Sequence, residues 1–152
     1  PGVVVARSLT KMFGLPGLRA GFAVATWSLG EKLDAARPTW GLSTPAADVG
    51  AHCMRQSAFV AETKARVEAE RERMRRRLSA AFEVYPSEAP FLLLGVGGED
   101  GTGDVDALLR NARERGFAVR DARTFATLDS HVRVAVRRPT ENDQLVEALL
   151  AF

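Results

Sequence analysis

Arg7-Ser8-Leu9-Thr10-Lys11-Met12-Phe13-Gly14-Leu15-Pro16-Gly17-Leu18-Arg19-Ala20-Gly21-Phe22 is the stretch on which the fold turns. Two short apolar runs flank it, Val3 to Ala6 before and Phe22 to Thr26 after. The first is β-branched and uncharged, as expected for a strand buried on both faces. Pro16-Gly17 couples a fixed φ to a residue that tolerates positive φ, which predicts a type II turn. The order is therefore strand, polar loop, turn, strand. Ser8 to Lys11 then lie at a strand exit, where side chains of an open α/β sheet project into the ligand crevice.

Outward from this stretch, Ser28-Leu29-Gly30-Glu31 has capping-box spacing and predicts a short helix ending before Pro38. Thr44 as N-cap with Pro45 as first helical residue predicts another. From Ala58 to Phe82, Val60, Val67, Met74, Leu78 and Phe82 recur at helical spacing, and Glu62/Arg66 and Glu72/Arg76 form i,i+4 pairs on the other face. Phe91 to Leu94 reads as a strand, Gly95 to Gly103 as a Gly/Asp/Glu loop, and Asp104 to Gly116 as a helix. Phe117 to Arg120 and His131 to Val136 read as strands. Pro139 to Leu149 reads as a last helix, with Thr140 as its N-cap. Strands and helices in this order indicate an α/β fold. A boundary near residues 40 to 58, placed here between residues 50 and 51, separates a first part from a second that begins with the long helix.

The 152 residues, 46% hydrophobic and 26% charged, suffice for one sizeable core. A net charge of +2 with acidic residues interleaved leaves no nucleic-acid footprint, so small molecules are the expected partners. Arg71, Arg73, Arg75, Arg76 and Arg77 alternate with Glu68, Glu70 and Glu72, the pattern of a solvated helix. A single cysteine, Cys53, permits no internal disulfide and no cysteine-cluster metal site, and fits a cytoplasmic location. His52 and His131 lack ligand-spaced neighbours, so no metal is expected. No apolar run reaches the roughly 20 residues of a membrane span. A chain that opens on Pro1-Gly2-Val3 without an initiator methionine is expected to be a fragment of a longer protein.

Only Lys11, Lys32 and Lys64 among 21 basic residues are lysine. Lys32 and Lys64 fall in amphipathic helices and read as surface charges. Lys11 does not. An amine attacks a carbonyl only when neutral, which desolvation or neighbouring positive charge favours, and Arg19 lies just past the turn. A guanidinium beside the hydroxyls of Ser8 and Thr10 also suits a phosphate. Taken as hydroxyls, lysine and arginine alone, the segment reads more readily as a solvated loop than as a site.

The whole string from Arg7 to Phe22 resembles the pyridoxal-phosphate (PLP) lysine signature of the aminotransferase class I/II superfamily, fold type I. It is closest to the branch containing threonine-phosphate decarboxylase and histidinol-phosphate aminotransferase. A second segment, Val132-Arg133-Val134-Ala135-Val136-Arg137-Arg138-Pro139-Thr140-Glu141-Asn142, is similar to the strand and last helix of the same branch. The resemblance implies the C-terminal portion of a PLP-dependent transferase fold. Residues 1–50 would be the remnant of the large domain, and 51–152 the small α/β domain with its linking helix. It further implies that Lys11 forms the Schiff base with pyridoxal 5'-phosphate, and that Ser8, Thr10 and Arg19 bind the cofactor phosphate. Arg133 would hold the substrate carboxylate and Arg120 a substrate phosphate or carboxylate.

Within the branch, Val119-Arg120-Asp121 and Val132 to Arg137 look more like the decarboxylase of cobalamin biosynthesis, with the aminotransferase as the alternative. The expected substrate is an amino-acid phosphate, and the expected assembly when full length is a homodimer. Pro90 departs from the pattern, since relatives often carry asparagine there and proline lacks the donor. By the resemblance, the acidic partner of the pyridine nitrogen, the ring-stacking aromatic and a tyrosine lie before Pro1. A non-catalytic, isolated domain is therefore the alternative of another class.

Overall fold

The computed structural model describes residues 2–97 and 103–152. The loop expected over Gly95 to Gly103 falls outside the described residues at 98–102. The chain divides into two compact units, Pro1–Thr63 and Lys64–Phe152.

In the first unit β1 (Val4–Ser8) pairs antiparallel with β2 (Gly21–Ala25), placing Ser8 opposite Gly21 and Arg7 opposite Phe22. Gly21 is required by this pairing, because a Cβ there would fall 2.7 Å from the Arg7 carbonyl oxygen. The expected burial of β1 is not observed. All five of its residues are exposed, and among the described residues β2 is its one neighbour in the sheet. Between the strands run α1 (Leu9–Met12) and a 3-10 turn over Pro16–Leu18. The expected type II turn is thus replaced, and the left-handed residues are Gly14 and Arg19, at φ 63° and 50°.

The unit continues with α2 (Trp27–Ala35), α3 (Thr44–Met54) and the start of α4 (Ser57–Leu78). Thr26, not Ser28, caps α2, and Ser43 rather than Thr44 caps α3, its Oγ accepting from the Ala46 amide at 3.4 Å. Leu9, Ala20, Ala46 and Cys53 form a small buried core. Trp27 and Trp40, whose flanks leave their roles open, are 83% and 94% exposed.

The second unit holds a four-stranded antiparallel sheet in the order β3-β4-β6-β5, formed by β3 (Glu83–Val84), β4 (Phe91–Gly95), β5 (Arg120–Asp121) and β6 (His131–Ala135). Alternation assigns the faces. Leu92, Leu94, Val132 and Val134 join a core with Met74 and Leu78 of α4, Leu108 of α5 (Val105–Glu114) and Leu145, Val146 and Leu149 of α6 (Pro139–Leu150). Phe91, Leu93, His131 and Arg133 occupy the opposite, half-open face. Asp104 caps α5, accepting from the Ala107 amide at 2.8 Å, and Gly116 follows the helix at φ 87°.

Residues that read as a solvated arginine face do more than meet water. Arg73 forks onto Glu70 at 2.8 and 3.2 Å, and Arg73 and Arg77 converge on Asp143 of α6. Asn142, 1% exposed, donates to Glu70 at 2.8 Å and to the Arg137 carbonyl at 3.0 Å, and accepts from the Arg137 amide at 2.8 Å. These bonds tie α4 to α6 and leave the buried amide satisfied. The expected Thr140 cap is replaced by Arg138, whose amide is held by Glu141 at 3.3 Å.

Hydrogen bonds from Arg73 chiefly hold both Glu70 and Asp143 below their ordinary pKa values of 4.5 and 3.8. A carboxylate whose folded pKa is depressed contributes stability above its ordinary value and loses it as pH falls through the folded value. Melting temperature is therefore expected to drop with acidification below about pH 4.5, and to drop less steeply in Asp143→Asn. Parallel pH profiles for the two proteins would exclude Asp143 as a source of the acid sensitivity.

Candidate functional site

Ser8 ends β1 and caps α1, its Oγ accepting from the Thr10 amide at 3.3 Å. The Ser8 and Thr10 hydroxyls are 2.7 Å apart, and Lys11 Nζ donates to Thr10 Oγ1 at 3.4 Å. Thr10 is buried at 6% exposure whereas Lys11 is exposed. The Leu9 amide donates to the Ala20 carbonyl at 3.1 Å, which fastens this one-turn helix to the segment just past Arg19. Arg19 itself is left-handed and donates to the Pro16 carbonyl at 3.3 Å. Ser8, Thr10 and Arg19 line a shallow concavity of about 550 Å³, and Lys11 is the residue after Thr10.

The electrostatics of this segment are one-sided. Arg7, Lys11 and Arg19 carry three positive charges, and the first acidic residue of the chain is Glu31. Among the described residues none of the three forms an ion pair. Two hydroxyls, a guanidinium and an amine facing no carboxylate form a cradle for a dianion. The residue set fits a phosphate with a carbonyl group in reach of the amine.

Arg120 and Arg133 come together in the second unit. They are directly opposed in the β5–β6 pairing, and like charges so placed repel unless an anion lies between them. Among the described residues neither pairs with a carboxylate. Each rests on an aromatic ring instead, Arg133 4.9 Å above Phe91 and Arg120 5.9 Å above Phe125. Arg120 also donates to Thr124 Oγ1 at 3.0 Å. Both arginines thus stand on the half-open side of the sheet, away from the core, where a guanidinium needs no buried partner. Arg137 is exposed and pairs with Glu141 at 3.1 Å.

Nothing in periodicity or spacing ties Phe91, Thr124 or Phe125 to an arginine, so their place beside Arg133 and Arg120 was not legible in the sequence. A second polar line on this face was also illegible. The Tyr85 hydroxyl donates to Glu83 at 2.9 Å and lies 3.1 Å from His131 Nε2, while His131 Nδ1 is buried without a partner among the described residues. The Glu83 carboxylate pushes the Tyr85 hydroxyl above its usual pKa. His52 bonds Gln56 at 3.1 Å. Among the described residues no cluster of metal-ligating side chains occurs, and no helix is long and apolar enough to cross a membrane.

Comparison with known proteins yields a family and a fold. The family described as aminotransferase class I and II matches residues 1–149. A histidinol-phosphate aminotransferase of Archaeoglobus fulgidus is 35% identical over 149 residues, covering 97% of this chain and 42% of its own length. The chain thus spans well under half the length of the curated relatives it matches. The structure of L-threonine-O-3-phosphate decarboxylase from Porphyromonas gingivalis superposes with a TM-score of 0.81 at 26% identity, over 98% of this chain and 46% of that one. Histidinol-phosphate aminotransferase from Sinorhizobium meliloti, solved in complex with pyridoxal-5'-phosphate, shares the fold at a TM-score of 0.79 and 21% identity, over 97% of this chain and 40% of its own.

Proposed function

The chain belongs to the aminotransferase class I and II family, and from that premise we propose that it carries the cofactor lysine and the substrate arginines of a PLP enzyme acting on an amino-acid phosphate. The observation that carries the reading is the cradle of Ser8, Thr10 and Arg19 beside the Lys11 amine, whose cations pair with no carboxylate among the described residues. The preferred reaction is decarboxylation of threonine phosphate, as in cobalamin biosynthesis. Transfer of the amino group, the activity named for the 35% identical relative, is the second reading. On this view residues 1–50 belong to the large domain, and residues 51–152 form the small domain with its linking helix. The complete enzyme is a cytoplasmic homodimer.

Each residue has a separate task. Ser8, Thr10 and Arg19 bind the cofactor phosphate, and Lys11 holds the cofactor through its amine. When bound, the cofactor supplies an electron sink for the substrate Cα. Arg133 takes the substrate carboxylate by a bidentate pair, and Arg120 takes the phosphate. In decarboxylation the carboxylate departs as carbon dioxide, its bonding electron pair stays behind, and Lys11 returns a proton to Cα. In amino transfer Lys11 instead removes the Cα proton. Which bond breaks would depend on how Arg133 orients the substrate carboxylate.

The test is reductive labelling. After addition of PLP and reduction with borohydride, mass mapping is expected to find the label on Lys11 in preference to Lys32 and Lys64. Equal labelling of the three lysines, or none, would sink the cofactor assignment. Carbon dioxide release from threonine phosphate supports the decarboxylase. Transfer of its amino group to a keto acid without that release supports the aminotransferase.

A further inference from the structure

The two opposed arginines are held by different kinds of support. Arg133 lies over Phe91, a residue of the central strand β4. Arg120 lies over Phe125 and bonds Thr124, and both of these belong to the loop 122–130 that joins β5 to β6. One guanidinium is therefore fixed by the sheet, and the other goes where the loop puts it.

The loop is built to a definite shape. Arg123 forks onto Asp121 at 2.8 and 3.1 Å and reaches Asp106 of α5 at 2.6 Å, anchoring the loop root to the helix side of the sheet. Two successive turns follow, closed by Phe125 N to Ala122 O at 2.9 Å and Leu128 N to Phe125 O at 3.3 Å. Thr127 sits at φ 76°, a conformation that a β-branched residue adopts only when its surroundings impose it. With its root pinned by Arg123, the loop turns Thr124 and Phe125 toward Arg120.

The hydroxyl of Thr124 has capacity to spare. Its oxygen accepts from Arg120, and its own proton is held only weakly, by the Asp121 carbonyl at 3.5 Å. That proton is available to an oxygen bound by Arg120. A phosphate has three terminal oxygens to satisfy and a carboxylate two, so an added donor beside Arg120 favours the phosphate.

We infer that loop 122–130 is the phosphate-selecting element of the anion site, with Thr124 donating to the substrate phosphate and Phe125 positioning Arg120 for it. The inference rests on the reading of Arg120 and Arg133 as the substrate-anion pair. Arg133, standing on a strand, binds the carboxylate that phosphorylated and unphosphorylated amino acids share. The loop decides between them.

The probes are O-phosphothreonine and threonine, with affinities measured by calorimetry on the full chain. The unmodified protein is expected to prefer O-phosphothreonine. In Thr124→Val the preference should fall more than about tenfold, the effect of one hydrogen bond to a charged group, and in Phe125→Leu about two- to fivefold, the effect of one exposed cation–π contact. Affinity for threonine should stay unchanged in both, and Thr124→Ser should restore the preference. Both positions are exposed, and unchanged melting temperatures would show that the variants fold.

Arg133→Gln serves as the control and is expected to weaken both ligands together. If it weakens both while Thr124→Val and Phe125→Leu keep the unmodified preference, the loop has no selecting role and the anion site stands. If Arg133→Gln changes neither ligand, or the unmodified protein binds neither, the anion-site reading fails and the loop inference falls with it.

Discussion

Lys11→Ala is expected to abolish covalent capture of the cofactor and to lower turnover by about two to four orders of magnitude, the range associated with loss of a positioned acid–base group. The chain has two other lysines, Lys32 and Lys64, and both are exposed on helices. Neither adjoins the hydroxyl pair that Lys11 meets through Thr10 Oγ1. Lys11→Arg separates charge from nucleophilicity. The guanidinium keeps the positive charge beside Thr10 but does not deprotonate, so it cannot bond a carbonyl carbon. The two variants should be equally unlabelled by borohydride while Lys11→Arg retains more non-covalent affinity for PLP. Mass mapping and equilibrium dialysis read these separately. Label persisting at another lysine of Lys11→Ala, with turnover intact, would remove Lys11 from the mechanism.

Leu94→Ala is expected to cost about 2–5 kcal/mol, the span for deleting a fully buried leucine side chain. Leu94 is 0% exposed in β4, opposed by Val84 on one side and Val132 on the other. Leu93, its neighbour, is half-buried on the face of Arg133, and Leu93→Ala should cost about 1 kcal/mol. The single tyrosine, Tyr85, lies in the second unit, so urea unfolding followed by its near-ultraviolet circular dichroism reports on that unit. Equal losses from the two leucines would mean that the core does not lie on the helix side of the sheet.

What the sequence disclosed about the fold follows from which interactions are local. The long helix, β4, β6 and α5 were visible because their apolar spacing answers to one buried face, as with Met74 and Leu78, or Val132 and Val134. Caps slipped by one or two positions, because Ser43 and Thr44 are equally able to cap and only the entry of the chain chooses between them. The Pro16-Gly17 turn misled for a different reason. The left-handed backbone fell on Arg19, and arginine carries no local preference for it. The clamp between Arg73, Arg77 and Asp143 was illegible, since it joins positions some seventy residues apart, and β3 is two residues long, too short to show a period.

The candidate site divides in the same way. Ser8, Thr10, Lys11 and Arg19 lie within one turn of chain, so a contiguous string described them. The structure adds that the two hydroxyls touch and that, among the described residues, no carboxylate pairs with the cations. Arg120 and Arg133 were legible through resemblance alone. Their direct opposition across the β5–β6 ladder depends on register, and their supports, Phe91, Thr124 and Phe125, come from a strand and a loop that spacing does not connect to them.

With Arg19 in its proposed role of phosphate ligand, its left-handed backbone sets heat resistance against ligand affinity at a single residue. An L-residue with a Cβ gives up roughly 1–2 kcal/mol in that conformation, a penalty that glycine escapes. A variant library sorted by melting temperature alone would therefore drift toward Arg19→Gly and shed the guanidinium unnoticed. Sorting that includes retention on a phosphate resin would hold it in place.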